Sequence, residues 1–294
     1  MSGSLPDRFS GKAVGLLAVD VDGTLITDHG AITDRVHRAL ERVTSAGWEI
    51  IIATGRTLYA ARQIIESLPF VRYALFSNGS SIVDMRTGEI LLLERIPPDV
   101  VGEVVGALRV RGAVPVLYNS DIFHQKMYYD TVEGACDYFV WYVSHDSRST
   151  RVDDIMDYTH DVQQIGTIAP RETIFRIRED LEGSRAVPMS LPFESPHIGG
   201  KNHEYWFLQV IGEGVSKSIA IRWMAERLVI PPGRIVAVGD NYNDADMIEG
   251  ADVGVAMGNA PCEIKRLAKV VVGTNNDSGL ADVVEEVILS GKYF

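Results

Sequence analysis

The feature that most constrains this chain is a rhythm of continuous apolar runs separated by amphipathic segments, present early, lost in the middle and resumed later. Residues 14–21 read as a buried strand. Val36, Ala39, Leu40 and Val43 then share one helical face at i, i+3, i+4, i+7 spacing, with Thr33 as N-cap. Gly47 ends that helix, and Trp48–Ala53 form the next strand. A helix over 58–68 stops before Pro69, and 73–77 is a third strand. Strands that are apolar at consecutive positions must be covered on both faces, which argues for a parallel sheet flanked by helices. Near residue 80 the rhythm breaks. Ser81–Asp84 and Glu89–Leu93 flank Arg86-Thr87-Gly88 as a hairpin. Helical segments follow at 98–110, 131–143 and 170–182, with short strands at 113–118 and 122–126, and Pro188, Pro192 and Pro196 mark an irregular stretch. After Tyr205 the rhythm returns: strand 206–211, helix 216–228, strand 234–238, helix 243–249, strand 252–256. A last helix carries Leu280, Val283, Val284, Val287 and Ile288 on one face. The expected class is α/β, a parallel-sheet core over 1–84 and 200–294 interrupted by an inserted α+β domain over 85–199.

A length of 294 residues suits a core plus an insert. No apolar run approaches the roughly 20 residues of a membrane span. Residues 1–12 lack the apolar stretch of a secretion signal. Cys136 and Cys262 are the only cysteines and form no C-x-x-C, which fits a reducing cytoplasm. The net charge of −12, from 40 acidic and 28 basic residues, argues against nucleic acid or an anionic membrane as partner. A small phosphorylated ligand remains compatible, because a metal and one or two cations suffice to hold it.

Four strand ends carry chemistry. Asp20-Val21-Asp22-Gly23-Thr24-Leu25 closes the first strand. Two carboxylates two positions apart are tolerable where a cation neutralises them or one is protonated. Gly23 lets the backbone turn and uncover amide N–H groups for an anion. Thr54-Gly55-Arg56 follows the second strand, offering a hydroxyl and open backbone to phosphate oxygens. Lys217 stands early in a helix, against the macrodipole, where a shared anion would compensate it. Gly239-Asp240-Asn241-Tyr242-Asn243-Asp244-Ala245-Asp246 places three acids on a strand-to-helix turn, suited to a hard cation with oxygen ligands.

These four ordered motifs resemble those of the haloacid dehalogenase superfamily of phosphatases. Met257-Gly258-Asn259-Ala260, Lys265, Ala268, Asn276-Asp277-Ser278-Gly279 and Ser77-Asn78-Gly79 are similar to its Cof-like branch, and the insert matches a type IIB cap in size and position. The resemblance implies a Rossmann-like core with an α+β cap that sets substrate specificity. It implies Asp20 as nucleophile and Asp22 as general acid/base. Mg2+ would be held by Asp20, the Asp22 carbonyl and Asp240, with Asp244 bound directly or through water. Lys217 would neutralise charge on the transferring group, while Gly23, Thr54, Gly55, Asn78 and Asn243 would contact phosphate and Arg56 would reach substrate.

Gly212-Glu213-Gly214-Val215-Ser216-Lys217-Ser218 ends like a Walker A loop, but Ile211 and Ser216 stand where its glycines are required. The seven histidines, including His124, His145, His160, His197 and His203 near the insert, contain no zinc-binding spacing. The favoured expectation is a Mg2+-dependent phosphatase acting on a small phosphorylated metabolite, a sugar phosphate first, as a monomer or homodimer in the cytoplasm. A sugar phosphomutase and a non-catalytic phosphometabolite-binding regulator are the alternatives.

Overall fold

The computed structural model describes residues 12–194 and 201–294. It divides into two units, one up to Leu92 together with Ser216–Phe294, the other Leu93–Val215. In chain order the first unit opens with β1 (Gly15–Val19), α1 (Asp34–Ser45), β2 (Trp48–Ala53), α2 (Leu58–Glu66) and β3 (Tyr73–Phe76). β4 (Ser81–Asp84) and β5 (Glu89–Leu93) complete this half. The second unit contains α3 (Pro98–Val110), β6 (Val116–Asn119), β7 (Met127–Tyr129), α4 (Asp137–His145) and β8 (Ser149–Arg151). It continues with β9 (Val162–Pro170), α5 (Arg171–Asp180), β10 (Ala186–Glu194) and β11 (Lys201–Gly212). The first unit resumes with α6 (Lys217–Arg227), β12 (Ile235–Gly239), α7 (Ala245–Gly250) and β13 (Val253–Ala256). α8 (Cys262–Leu267), β14 (Val270–Val271) and α9 (Gly279–Asp282) follow, and a wider helical turn over Val283–Ile288 extends α9.

The first unit is built on an eight-stranded sheet in the order β14-β13-β12-β1-β2-β3-β4-β5. Pairing is parallel from β14 to β3, and β4 runs antiparallel to β3. Every residue of β1, β2 and β3 is buried, so both faces are covered, as consecutive apolar residues require. Ala220, Ile221 and Met224 of α6 and Met247 of α7 pack on Leu16, Ala18, Ile51 and Ala237. α1 packs on β2 and against α9. Thr33 does cap α1, its hydroxyl accepting the Val36 N–H, and Gly47 turns the chain into β2 at φ +83°.

The second unit has a six-stranded sheet in the order β10-β11-β9-β6-β7-β8, antiparallel except for the parallel β7–β8 pair. Leu117, Ile165, Leu208 and Val210 bury one face against Val100, Val104, Ile174 and Ile177 of α3 and α5. Val116, Tyr118 and Ile168 bury the other with Phe139 and Val143 of α4, Phe207 packing alongside.

Expectations of three kinds need correction. The unit boundaries fall at Leu92 and Ser216, not at 84 and 200. β5 stays in the first sheet, at its edge beside β4. Residues 206–211 pair with β9 and β10, so this strand belongs to the insert and not to the core. Second, Pro188 and Pro192 lie within β10, not in an irregular stretch. β10 is an edge strand, where a residue without an N–H costs no ladder bond on the open side. Third, the helix expected over 131–143 begins at Asp137, because Gly134 takes φ +77°, and the strand expected at 122–126 forms at Met127–Tyr129. Pro196 and His197 lie outside the described residues, as does the His203 side chain. Among the described residues no helix is long and apolar enough to cross a membrane.

Candidate active site

Asp20 follows β1, Thr54 follows β2, Ser77 and Asn78 follow β3, and Asp240 follows β12, so parallel pairing brings all five to one edge of the sheet. Connections leave β1 in one direction through β2 and β3, and leave β12 in the other through β13 and β14. Between β1 and β12 the order reverses, which opens a crevice at the carboxyl ends of the strands. Asp20 and Asp240 stand on its two sides. The turn after β1 closes through the Leu25 and Ile26 N–H groups on the Val21 carbonyl, at 3.0 and 3.1 Å. Gly23 holds φ +75° there, and a Cβ would run into the Asp240 carboxylate, so this close approach needs glycine.

Lys217 is the first residue of α6 and is 1% exposed. Its ammonium donates to Asp20 Oδ1 at 2.7 Å and to Asp244 Oδ1 at 2.6 Å. Asp244 accepts the Asp240 and Asn241 N–H groups on Oδ2, at 3.0 and 3.1 Å. One carboxylate thus fixes the cation and folds the loop that carries the third acid. Asp246 has a different task from the one its sequence position suggested. It accepts the Ser218 N–H at 3.0 Å, and the Ser216 hydroxyl caps α6 through the Ile219 N–H. An acid and a cap at this helix start offset the unfavourable placement of Lys217.

Oxygens of Asp20, Asp240 and Asp244 come within 4.8 Å of one another. Three acids around one ammonium are electrostatically strained. Burial, then Asp244, pushes the Asp20 carboxyl well above its usual range against the pull of Lys217. Burial and Asp244 likewise push Asp240 up to about 7. Burial disfavours the Lys217 ammonium, but Asp20 and Asp244 outweigh it and hold the group above its ordinary value. Asp240 Oδ1 is buried without a hydrogen-bond partner among the described residues. A bare carboxylate oxygen in an all-oxygen, over-anionic cluster fits a hard divalent cation.

Asp22 lies outside this cluster, its side chain 56% exposed. Arg56 grips it with two bonds, Nε to Oδ2 at 2.8 Å and Nη2 to Oδ1 at 2.5 Å. Arg56, expected to reach substrate, is therefore committed to the second aspartate. Thr54, Gly55, Asn78 and Asn243 form a separate group. The Asn78 N–H donates to the Thr54 carbonyl at 3.1 Å, and Asn243 Nδ2 donates to Asn78 Oδ1 at 3.3 Å. Ser77 and Asn78 take φ +48° and +55°, a left-handed turn that is strained for Ser and tolerated by Asn. A Cβ on Gly79 would meet the Ser216 backbone, which seats this turn against the start of α6.

Three groups at this edge escaped the sequence reading as site residues. The Thr24 and Ser77 hydroxyls are buried without partners among the described residues. Asn259 Nδ2 donates to Asp240 Oδ2 at 3.0 Å and to the Gly23 carbonyl at 2.8 Å. The Met257–Ala260 run signalled Asn259, but only as a branch marker, since spacing cannot reveal a contact across 236 residues.

Residues 17–284 match the family model of haloacid dehalogenase-like hydrolases. The 5-amino-6-(5-phospho-D-ribitylamino)uracil phosphatase YcsE of Bacillus subtilis is 26% identical, over 94% of this chain and 96% of its own. The pyridoxal phosphate phosphatase YbhA of Escherichia coli is 27% identical, over 92% and 97%. The solved structure of the subclass IIB sugar phosphatase BT4131 shares the fold at a TM-score of 0.73, with 18% identity, covering 92% of this chain and 98% of that one. With the family model spanning nearly the whole chain, the protein belongs to the haloacid dehalogenase-like hydrolases and is a phosphatase among them.

Proposed function

We propose that the protein is a Mg2+-dependent phosphatase of a small phosphorylated metabolite, a sugar or sugar-alcohol phosphate, working in the cytoplasm through an aspartyl-phosphate on Asp20. The observation that carries this reading is the Lys217 ammonium shared by Asp20 and Asp244 beside the bare Asp240 oxygen. Lys217 keeps one Asp20 oxygen in place, so the carboxylate is oriented before substrate arrives. Asp20 attacks phosphorus and the bond to the leaving oxygen breaks, while Asp22 delivers a proton to that oxygen. Asp22 then takes a proton from water, which attacks the acyl phosphate, frees inorganic phosphate and restores Asp20. Because Arg56 holds both Asp22 oxygens, each proton transfer requires that ion pair to open or tilt. Thr54, Gly55, Asn78 and Asn243 hold non-bridging oxygens, and Gly23 contributes backbone. Asp20, the Asp22 carbonyl, Asp240 and Asp244 would hold Mg2+, which when bound supplies neutralising charge for the transferring phosphoryl group.

The sugar-phosphate preference draws support from the ribityl phosphate that the Bacillus subtilis relative acts on by name. The test is phosphate release from sugar phosphates, nucleotides, phosphoglycolate and pyridoxal phosphate, with and without Mg2+. Release from a sugar or sugar-alcohol phosphate well above the rest, abolished by chelation, is the expected result. Isomer formation without free phosphate would instead identify a mutase, and binding without turnover a regulator.

A further inference from the structure

From its contacts we infer that Asn259 is the positioning residue that aims Asp240 at the cation. This rests on the assignment of Asp240 as a metal ligand. A carboxylate at the end of a strand can rotate about its last bond, and a ligand that rotates binds metal weakly. Among the described residues Asp240 is restrained on one oxygen: Asn259 Nδ2 donates to Oδ2 at 3.0 Å, while Oδ1 is buried and bare. Clamping Oδ2 leaves Oδ1 to serve as the ligand, in a carboxylate with an oxygen within 4.8 Å of oxygens of Asp20 and Asp244.

The clamp is itself held from three directions. The same Asn259 amide donates to the Gly23 carbonyl at 2.8 Å, tying it to the turn that carries Asp20 and Asp22. Asn259 Oδ1 accepts the Asn275 N–H at 3.0 Å, which fixes which end of the amide faces Asp240. Asn275 is buried, and its own amide donates to the Ile26 carbonyl at 3.0 Å and to Asp28 Oδ1 at 3.1 Å. Next to the clamp, Gly258 packs on the Val272–Thr274 backbone too closely for a side chain, and Lys265 binds the Gly258 carbonyl at 2.6 Å. Three loops, after β1, after β13 and after β14, thereby converge on one amide group whose Nδ2 also meets Asp240 Oδ2.

The test is direct Mg2+ binding to metal-free protein by calorimetry, with unfolding curves as the control for folding. Asn259→Ala removes the amide, and the near-isosteric Asn259→Leu removes its bonds while keeping its volume. Each folded variant should bind Mg2+ about 10–100-fold more weakly. The Mg2+ concentration for half-maximal rate should rise by more than kcat falls. Wild-type Mg2+ affinity in a folded variant overturns the inference, as does a fall in kcat without any change in Mg2+ affinity. Asp240→Asn separates the two levels. If that variant loses Mg2+ binding while the Asn259 variants keep it, the positioning role fails and the ligand assignment stands. If Asp240→Asn binds Mg2+ like wild type, the ligand assignment itself has failed.

Discussion

The two units bury polar groups in opposite ways. In the first, Asp20, Asp240, Asp244 and Lys217 gather at strand ends, with more acid than base, and carboxyl groups are pushed upward by burial and by one another. In the second, polar side chains are spread across the sheet and many pair with one another, although Asp130 Oδ1 and Ser149 Oγ are buried without a partner among the described residues. Gln209 Nε2 donates to Gln164 Oε1 at 2.7 Å, Gln125 Nε2 to Gln163 Oε1 at 3.3 Å, and the Tyr118 and Tyr142 hydroxyls meet at 2.5 Å. There Asp146 feels burial too, but three bonds from Arg148 prevail and hold its carboxyl below its usual value. A balanced polar network stabilises its own fold. An unbalanced one is held in place by the surrounding core and is left with charge to offer a ligand.

Four experiments probe this contrast, in descending order of expected effect. Asp20→Asn should lower phosphatase kcat by at least about 10⁴-fold, because the proposed nucleophile is replaced by an amide of the same shape. An unfolding curve close to wild type would confine the loss to chemistry; a surviving wild-type rate would remove Asp20 as nucleophile. Lys217→Ala should cost about 3–5 kcal/mol in denaturant unfolding at neutral pH, since Asp20 and Asp244 lose their shared buried partner. A cost within the range of an exposed ion pair would mean that the cluster rearranges easily.

In the second unit, Tyr142→Phe should cost only about 1–3 kcal/mol by leaving the buried Tyr118 hydroxyl without its partner. Hydrogen exchange should show the loss around β6 and α4, with protection at β1 and β12 unchanged. The smallest effects are the most telling in sign, and they concern pH in metal-free protein. Asp240 has a raised folded value of about 7, so the unfolded chain releases its proton first and stability falls as pH rises from about 4 towards 7. Asp240→Asn should therefore raise the melting temperature at pH 8, by about 2–4 °C, and do nothing near pH 4. Asp146 has a lowered value, so its contribution is present above the ordinary Asp pKa and is lost as pH falls through its folded value. Asp146→Asn should lower stability at pH 7 and lose that effect in acid. Parallel pH responses of the two variants would dissolve the contrast between the units.

The same contrast explains what the amino-acid sequence made legible. Parallel strands announce themselves as consecutive apolar residues, and chemistry at their ends follows at fixed offsets, so Asp20, Thr54 and Asp240 stand out one strand at a time, while Lys217 stands out by its place at a helix start. An apolar run such as 206–211 does not declare which sheet it joins, and only its pairing with β9 and β10 assigns it to the insert. Pro188 and Pro192 read as breakers because edge position is a property of the assembled sheet. Arg56 looked directed at substrate because nothing local reveals a partner 34 positions earlier. Gln164 and Gln209 left no trace at all, since each is an ordinary polar residue until the pairing of β9 with β11 sets them side by side.

The place of β1 in the sheet also has a consequence for how the protein is made. β1 lies between β2 and β12, and Lys217 stands 197 positions after the aspartate it grips. A ribosome adding roughly 5–20 residues per second leaves the β12 side of β1 without its neighbour for on the order of 10–40 s. During that interval the nascent chain carries an unpaired apolar strand edge and an Asp20 still without the cation that will hold it. The enzyme cannot act before its last third has emerged, and it is then, early in its life, that it most needs protection from sticking to other chains.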